Sequence, residues 1–145
     1  MESGEIQDKQ ITASSINGDN QRYAPKNGRL NSPVAWAPKD NVEMPWIQVD
    51  FDGMVTVTGV ITQGSAGSSN WVTEFSILIN DGESWNYILD PNGSVKKFSG
   101  NSDRSTQVTT RFEHSHNAML LRIIPKNRNM APHCMRFEVL GCPAV

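Results

Sequence analysis

The residues best equipped for chemistry lie in polar, irregular stretches. Asp19, Asn20, Arg22, Tyr23 and Lys26 belong to a turn-rich run from Ile16 to Asn31, and Ser68 and Asn70 to a second, Ser65 to Asn70. A third stretch, Pro125 to His133, is basic and irregular and carries Arg128. Carboxylates, carboxamides, hydroxyls and guanidinium groups of this kind hydrogen-bond sugar hydroxyls, phosphates or a protein surface, and Tyr23 adds a ring. Trp36 and Asp40 follow the first run and complete the candidate set. Two other spacings bear on metals. His114-Ser-His116 places two imidazoles on one face of a strand, but no third ligand lies near in sequence, and a solvated strand end is the preferred reading. Asn17, Asp19 and Asn20 offer oxygens that suit Ca2+. Three oxygens in a polar loop read first as a turn, so no cofactor is expected. No nucleophile elbow, phosphate-binding loop or HExxH occurs. Asn92-Gly93-Ser94 is an N-glycosylation sequon on a turn.

Such loops need a rigid scaffold, and the rest of the chain reads as strands. In Trp46 to Phe51 the apolar Ile47, Val49 and Phe51 share one parity and the polar Gln48 and Asp50 the other, the pattern of a strand with one buried face. Pro45 and Asp52-Gly53 punctuate that run, and Met54 to Thr62 forms a second. Trp71–Ile79 and Trp85–Leu89 flank the hairpin signal Asn80-Asp81-Gly82-Glu83. After the turn Asp90-Pro91-Asn92-Gly93 come Val95–Phe98, Gln107–Phe112, Ala118–Ile124 and Met135–Leu140. Helical periodicity is absent, and short strands at this spacing predict an all-β sandwich or barrel. Arg122, Arg136 and Glu138 fall inside apolar strands, where charges need partners.

A length of 145 residues suits one domain spanning 1–145, and 37 % hydrophobic residues suffice for its core. The net charge of −2, without a Lys/Arg cluster, argues against nucleic acid as a partner. No apolar run approaches the ~18 residues of a membrane-spanning helix. Met1-Glu-Ser-Gly-Glu5 is not a signal peptide. That leaves a cytosolic protein or a domain cut from a longer secreted chain. Cys134 and Cys142 are separated by a predicted strand that extends about 26 Å, whereas a disulfide holds its Cα atoms within about 7 Å. Either both are free thiols, or Cys142 has a partner elsewhere.

Specific segments go beyond pattern. Met1-Glu-Ser-Gly-Glu-Ile6, Gln10-Ile-Thr-Ala-Ser-Ser15, Arg29-Leu-Asn31, Ala35-Trp36, Trp46-Ile-Gln-Val-Asp50, Val57-Thr-Gly-Val-Ile-Thr-Gln-Gly64, Trp71-Val72, Asp81-Gly82, Trp85, Phe98-Ser-Gly-Asn101, Leu121-Arg122, Pro125 and Met135-Arg-Phe-Glu-Val-Leu-Gly-Cys142 occur in order. Together they resemble the discoidin family, the type C domain of coagulation factors V and VIII, and the opening and closing motifs resemble neuropilin discoidin domains. The resemblance implies a jelly-roll-like β-barrel of about eight antiparallel strands with ligand-binding loops at one end. It implies an extracellular, non-enzymatic module that is one of several domains in a longer parent chain. It also implies a disulfide from the final Cys, Cys142, to a Cys just before the opening motif.

The same resemblance offers a choice of ligands: glycans, proteins such as collagen, growth-factor tails, or anionic phospholipid. Membrane insertion needs exposed apolar groups, at ~0.8 kcal/mol per buried CH2; Tyr23 is the only aromatic of the first irregular run, and the second offers no large apolar group. Arg22, Lys26, Lys39 and Arg128 attract anionic head groups. Capture of a C-terminal Arg is disfavoured. Trp36 matches that pocket, but Ala37 replaces a Thr, Asn41 stands at the acidic position beside Asp40, and Asn70 replaces an aromatic wall. The expected partner is therefore a cell-surface or matrix glycan or protein, with phosphatidylserine-type membranes as the alternative. Trp36 is expected at the loop base or as a sugar platform, and Tyr23 is expected to be exposed.

Overall fold

The structure, a computed structural model, describes residues 1, 5–40 and 42–143. Its strands are β1 (Ile11–Ala13), β2 (Ile47–Gln63), β3 (Val72–Asn80), β4 (Trp85–Tyr87), β5 (Phe98–Ser99), β6 (Val108–Arg128) and β7 (Arg136–Pro143). Every strand pairing is antiparallel.

β2 and β6 each serve two layers. The first part of β2, Ile47–Asp50, pairs with Leu120–Ile123, between β1 on one side and β3 with β4 and β5 on the other. The second part, Val55–Thr62, pairs with Ala118–Val108 and has β7 on its other side. The register of β2 breaks between Asp50 and Val55, where Asp52 takes φ 56° and Gly53 φ 146°. Positive φ at both positions bends the chain from one layer into the other. The sequence marks Asp52-Gly53 as a stop between two strands; the structure carries one strand through it. Gln107–Phe112 and Ala118–Ile124 likewise merge into β6, which also takes in Pro125–Arg128, a part of the stretch expected to be irregular. Within Val95–Phe98 only Phe98 enters a strand, with Val95 held by a bridge to Leu89.

The parity of Trp46–Phe51 predicts which side chains turn inward. Ile47 and Val49 are fully buried beside Phe75, Ile77, Leu121, Ile123 and Phe137, Gln48 is half-buried, and Asp50 is exposed. Each large side chain so enclosed contributes about 1.5–3 kcal/mol. On the outer face of the larger layer the guanidinium of Arg122 lies 4.0 Å from the Trp46 ring centroid and 4.4 Å from that of Trp85. Its Nε donates to Gln48 Oε1 at 2.7 Å. Two indole faces and an amide thus partner a charge set in an apolar strand, clamping β2, β6 and β4 together.

Candidate functional site

Three connections leave the barrel at one pole: Ser14–Trp46 between β1 and β2, Gly64–Trp71 between β2 and β3, and Asn129–Met135 between β6 and β7. Their floor is built on the buried side chains of Arg136 and Asn70, which donate to carbonyls. Arg136, 5 % exposed, donates Nε to Gly64 O at 2.8 Å, Nη1 to Ser32 O at 2.8 Å and Nη2 to Arg104 O at 3.0 Å. Gly64 is required there, since a Cβ would lie 2.8 Å from the Arg104 Cα and 2.9 Å from the Trp71 Cβ. Asn70 Nδ2 donates to Ala131 O at 3.0 Å. Asn129 accepts from Trp71 N–H at 2.8 Å and donates to Ser69 O at 2.5 Å. Trp36 is fully buried, its backbone exchanging hydrogen bonds with Met135 and its indole N–H donating to Ser15 O at 3.1 Å.

The crest is built on short 3-10 turns, Asn17–Asp19, Gln21–Tyr23 and Pro25–Gly28. Asn20 caps the second of them, its Oδ1 accepting from Arg22 N–H at 3.0 Å. Asn27 locks the next by donating to Arg22 O at 2.8 Å. The Arg22 guanidinium reaches Gly67 in the second loop. Arg22, Lys26 and Arg128 are exposed, as are Asp19, Asn20, Asp40 and Ser68. Asp19 faces Lys39 at 3.6 Å, Asp40 accepts from Asn17 Nδ2 at 3.1 Å, and the Ser68 hydroxyl donates to Ser65 Oγ at 3.0 Å. Tyr23 is half-buried against Ala35, Ala37 and Cys134. Beneath, His133 sits 3.2 Å from Arg128 Nη1, and burial followed by that neighbouring charge lowers its pKa from 6.5 to about 4. Burial and then the Asp40 charge push the Cys134 thiol up to about 11, so it stays protonated.

The structure therefore brings the sequence-chosen residues to one pole but sorts them. Trp36 and Asn70, chosen as ligand contacts, are corrected to floor residues: one is enclosed by core and the other spends its amide on the third loop. Tyr23 is less open than expected, because its ring covers small buried side chains. Asn41 lies outside the described residues. His116 packs edge-on to Phe112 on β6, and among the described residues no group of three His, Cys, Asp or Glu side chains gathers as a metal site. Cys134 is buried just before extended β7 and Cys142 is exposed near its far end, both free. Sequence reading missed Met130 and Met44, 57 % and 53 % exposed in the connections that form this pole. A methionine in an irregular run signals nothing by type alone, since the same residue commonly fills a core.

A family model described as F5/8 type C domain matches residues 10–139. Dog coagulation factor VIII is 42 % identical over 150 residues, 98 % of this chain and 6 % of that protein. The chain belongs to the F5/8 type C family. Rat lactadherin is 35 % identical over 153 residues, 98 % of this chain and 35 % of that protein. The chain thus spans a minor part of the curated relatives it matches. Among solved structures, recombinant discoidin II of Dictyostelium discoideum superposes with a TM-score of 0.81 at 22 % identity, over 93 % of this chain and 56 % of that one. A family 32 CBM of Clostridium perfringens in complex with galactose gives 0.70 at 13 % identity, over 92 % and 96 %. These identify the fold as the all-β discoidin type.

Proposed function

We propose that this chain is an extracellular recognition module that binds a cell-surface or matrix ligand, glycan or protein, through the crest of the rim. It works by binding and assigns no residue to a reaction. The observation that carries this reading is the fastening of three loops to one floor by hydrogen bonds from the buried Arg136 and Asn70 side chains. That arrangement presents Arg22, Lys26, Asp19, Asn20, Asp40, Ser68 and Arg128 from a pre-organised surface, which lowers the ordering cost of binding. Mixed hydroxyl, amide, carboxylate and guanidinium groups match sugar hydroxyls or a polar protein surface. The galactose complex of the family 32 CBM lends the glycan reading support. The test is a glycan array and a liposome panel run with the chain and with a triple Ala variant at Arg22, Lys26 and Arg128. The reading predicts binding that falls by at least tenfold in the variant; full retention would place the ligand elsewhere.

A second reading is favoured by Met130. An exposed thioether two positions after the exposed Arg128 pairs an apolar probe with a cation, the combination that engages an anionic bilayer interface. Binding to vesicles containing phosphatidylserine that is lost in Met130→Asp, with glycan binding unaffected, would select it.

A further inference from the structure

We propose that Asn92 carries an N-linked glycan when the chain passes through a secretory compartment. The inference rests on the extracellular reading above. Asn92-Gly93-Ser94 is the chain's single Asn-x-Ser/Thr with x other than Pro. The structure puts it on the hairpin between β4 and β5, at a turn that closes on itself. Asp90 N–H donates to Ser94 O at 2.7 Å, Gly93 N–H donates to Asp90 O at 2.9 Å, and Gly93 takes φ 89°. Asn92 and Ser94 are both exposed. The carboxamide is oriented through its oxygen, which accepts from Ser94 N–H at 3.0 Å. The nitrogen Nδ2, the atom that is glycosylated, has no protein partner among the described residues.

A second observation concerns what lies at the base of the turn. Leu89 and Val95 face each other across an antiparallel bridge and are 51 % and 38 % exposed. This exposed apolar pair lies at the base of the turn that would carry the sugar. The chemistry is a displacement on a lipid-linked oligosaccharide. A bond forms between the sugar's anomeric carbon and Nδ2, the lipid pyrophosphate leaves with the electron pair of the broken C–O bond, and Nδ2 gives up one proton. The turn's hydrogen bonds are confined to the hairpin and join it to none of the three rim loops.

The full chain, placed behind a cleavable secretion leader and carrying a tag with a proven acceptor sequon, tests this in a glycosylating host. The tag's glycan certifies entry into the lumen. The expected result is one glycan more than in Asn92→Gln or Ser94→Ala, and conversion of Asn92 to aspartate by the N-glycan amidase. Unmodified Asn92 in chains whose tag is glycosylated overturns the proposal. Rim binding is read on the same material. Its loss with Asn92 modified counts against the functional reading alone, and its presence with Asn92 bare counts against the glycan alone.

Discussion

The floor and the crest of the rim use the same residue types for opposite ends. Arg136 and Arg128 stand at the two ends of one connection, and Asn70 and Asn20 both belong to polar loops. In the floor each of the three guanidinium nitrogens of Arg136 meets a carbonyl, and Asn70 Nδ2 bridges to the third loop. In the crest Arg22 and Lys26 point their charges at solvent, and Asn20 spends its oxygen on its own turn. A polar group saturated by backbone is a fastening, and one left to water is a contact. The difference predicts that floor changes act on stability and crest changes on binding.

The largest effect expected is from Trp36→Ala. Removing a fully buried indole costs about 3–5 kcal/mol, a fall in Tm on the order of 10 °C by calorimetry. Trp36→Phe, which keeps most of the volume and loses the bond to Ser15 O, should lose much less. Arg136→Met follows. It takes the partner from three carbonyls, one buried and two part-buried, and should cost about 3 kcal/mol in chemical denaturation. A loss under 0.5 kcal/mol, the range of an ordinary surface substitution, would erase the distinction between floor and crest.

Much of this division was hidden from the sequence, and particular residues show why. The parity of Ile47, Val49, Gln48 and Asp50 is a local property, and it located the barrel wall. Gly82 and Gly93 take positive φ in the turns their residues announce. The motifs from Met1 to Cys142 carried the family resemblance, and the three loops did converge. Asn70 could not be told from Asn20, because what separates them is whether Ala131 O, sixty-one positions away, lies within reach. Trp36 reads as platform or core depending on whether Met135 covers it. Long-range pairing likewise fused the strands around Asp52-Gly53 and extended β6 beyond Pro125.

At the crest, reversing both exposed arginines, Arg22→Glu with Arg128→Glu, should weaken ligand binding at least tenfold. Stability should change by no more than ~0.5 kcal/mol at each site. Raised salt should mimic the loss if attraction to an anionic surface dominates. Stability, by contrast, is expected to respond to pH through His133, just below the crest. Its folded pKa is depressed, so the unfolded chain binds its proton more readily. Stability from the neutral imidazole is fully present above 6.5 and is lost as pH falls from there toward about 4. A Tm that declines across that window in the parent and declines less in His133→Asn would assign the effect to this group.

The smallest effect sharpens the comparison most. Lys39 and Asp19 face each other at 3.6 Å with side chains 51 % and 84 % exposed. An exposed pair of this kind contributes under ~1 kcal/mol, so Lys39→Met should leave the folded state almost unchanged. Its effect on binding has a sign that depends on the ligand. The substitution removes one cation and releases the Asp19 carboxylate. An anionic membrane loses about 1 kcal/mol of attraction per cation removed near its surface, more at low salt than at high. A neutral glycan instead gains an acceptor for its hydroxyls and binds as well or better. Titrating Lys39→Met against phosphatidylserine vesicles and against array-selected sugars therefore tells which of the crest's opposite charges does the recognising. Equal weakening toward both would mean that Lys39 itself touches the ligand.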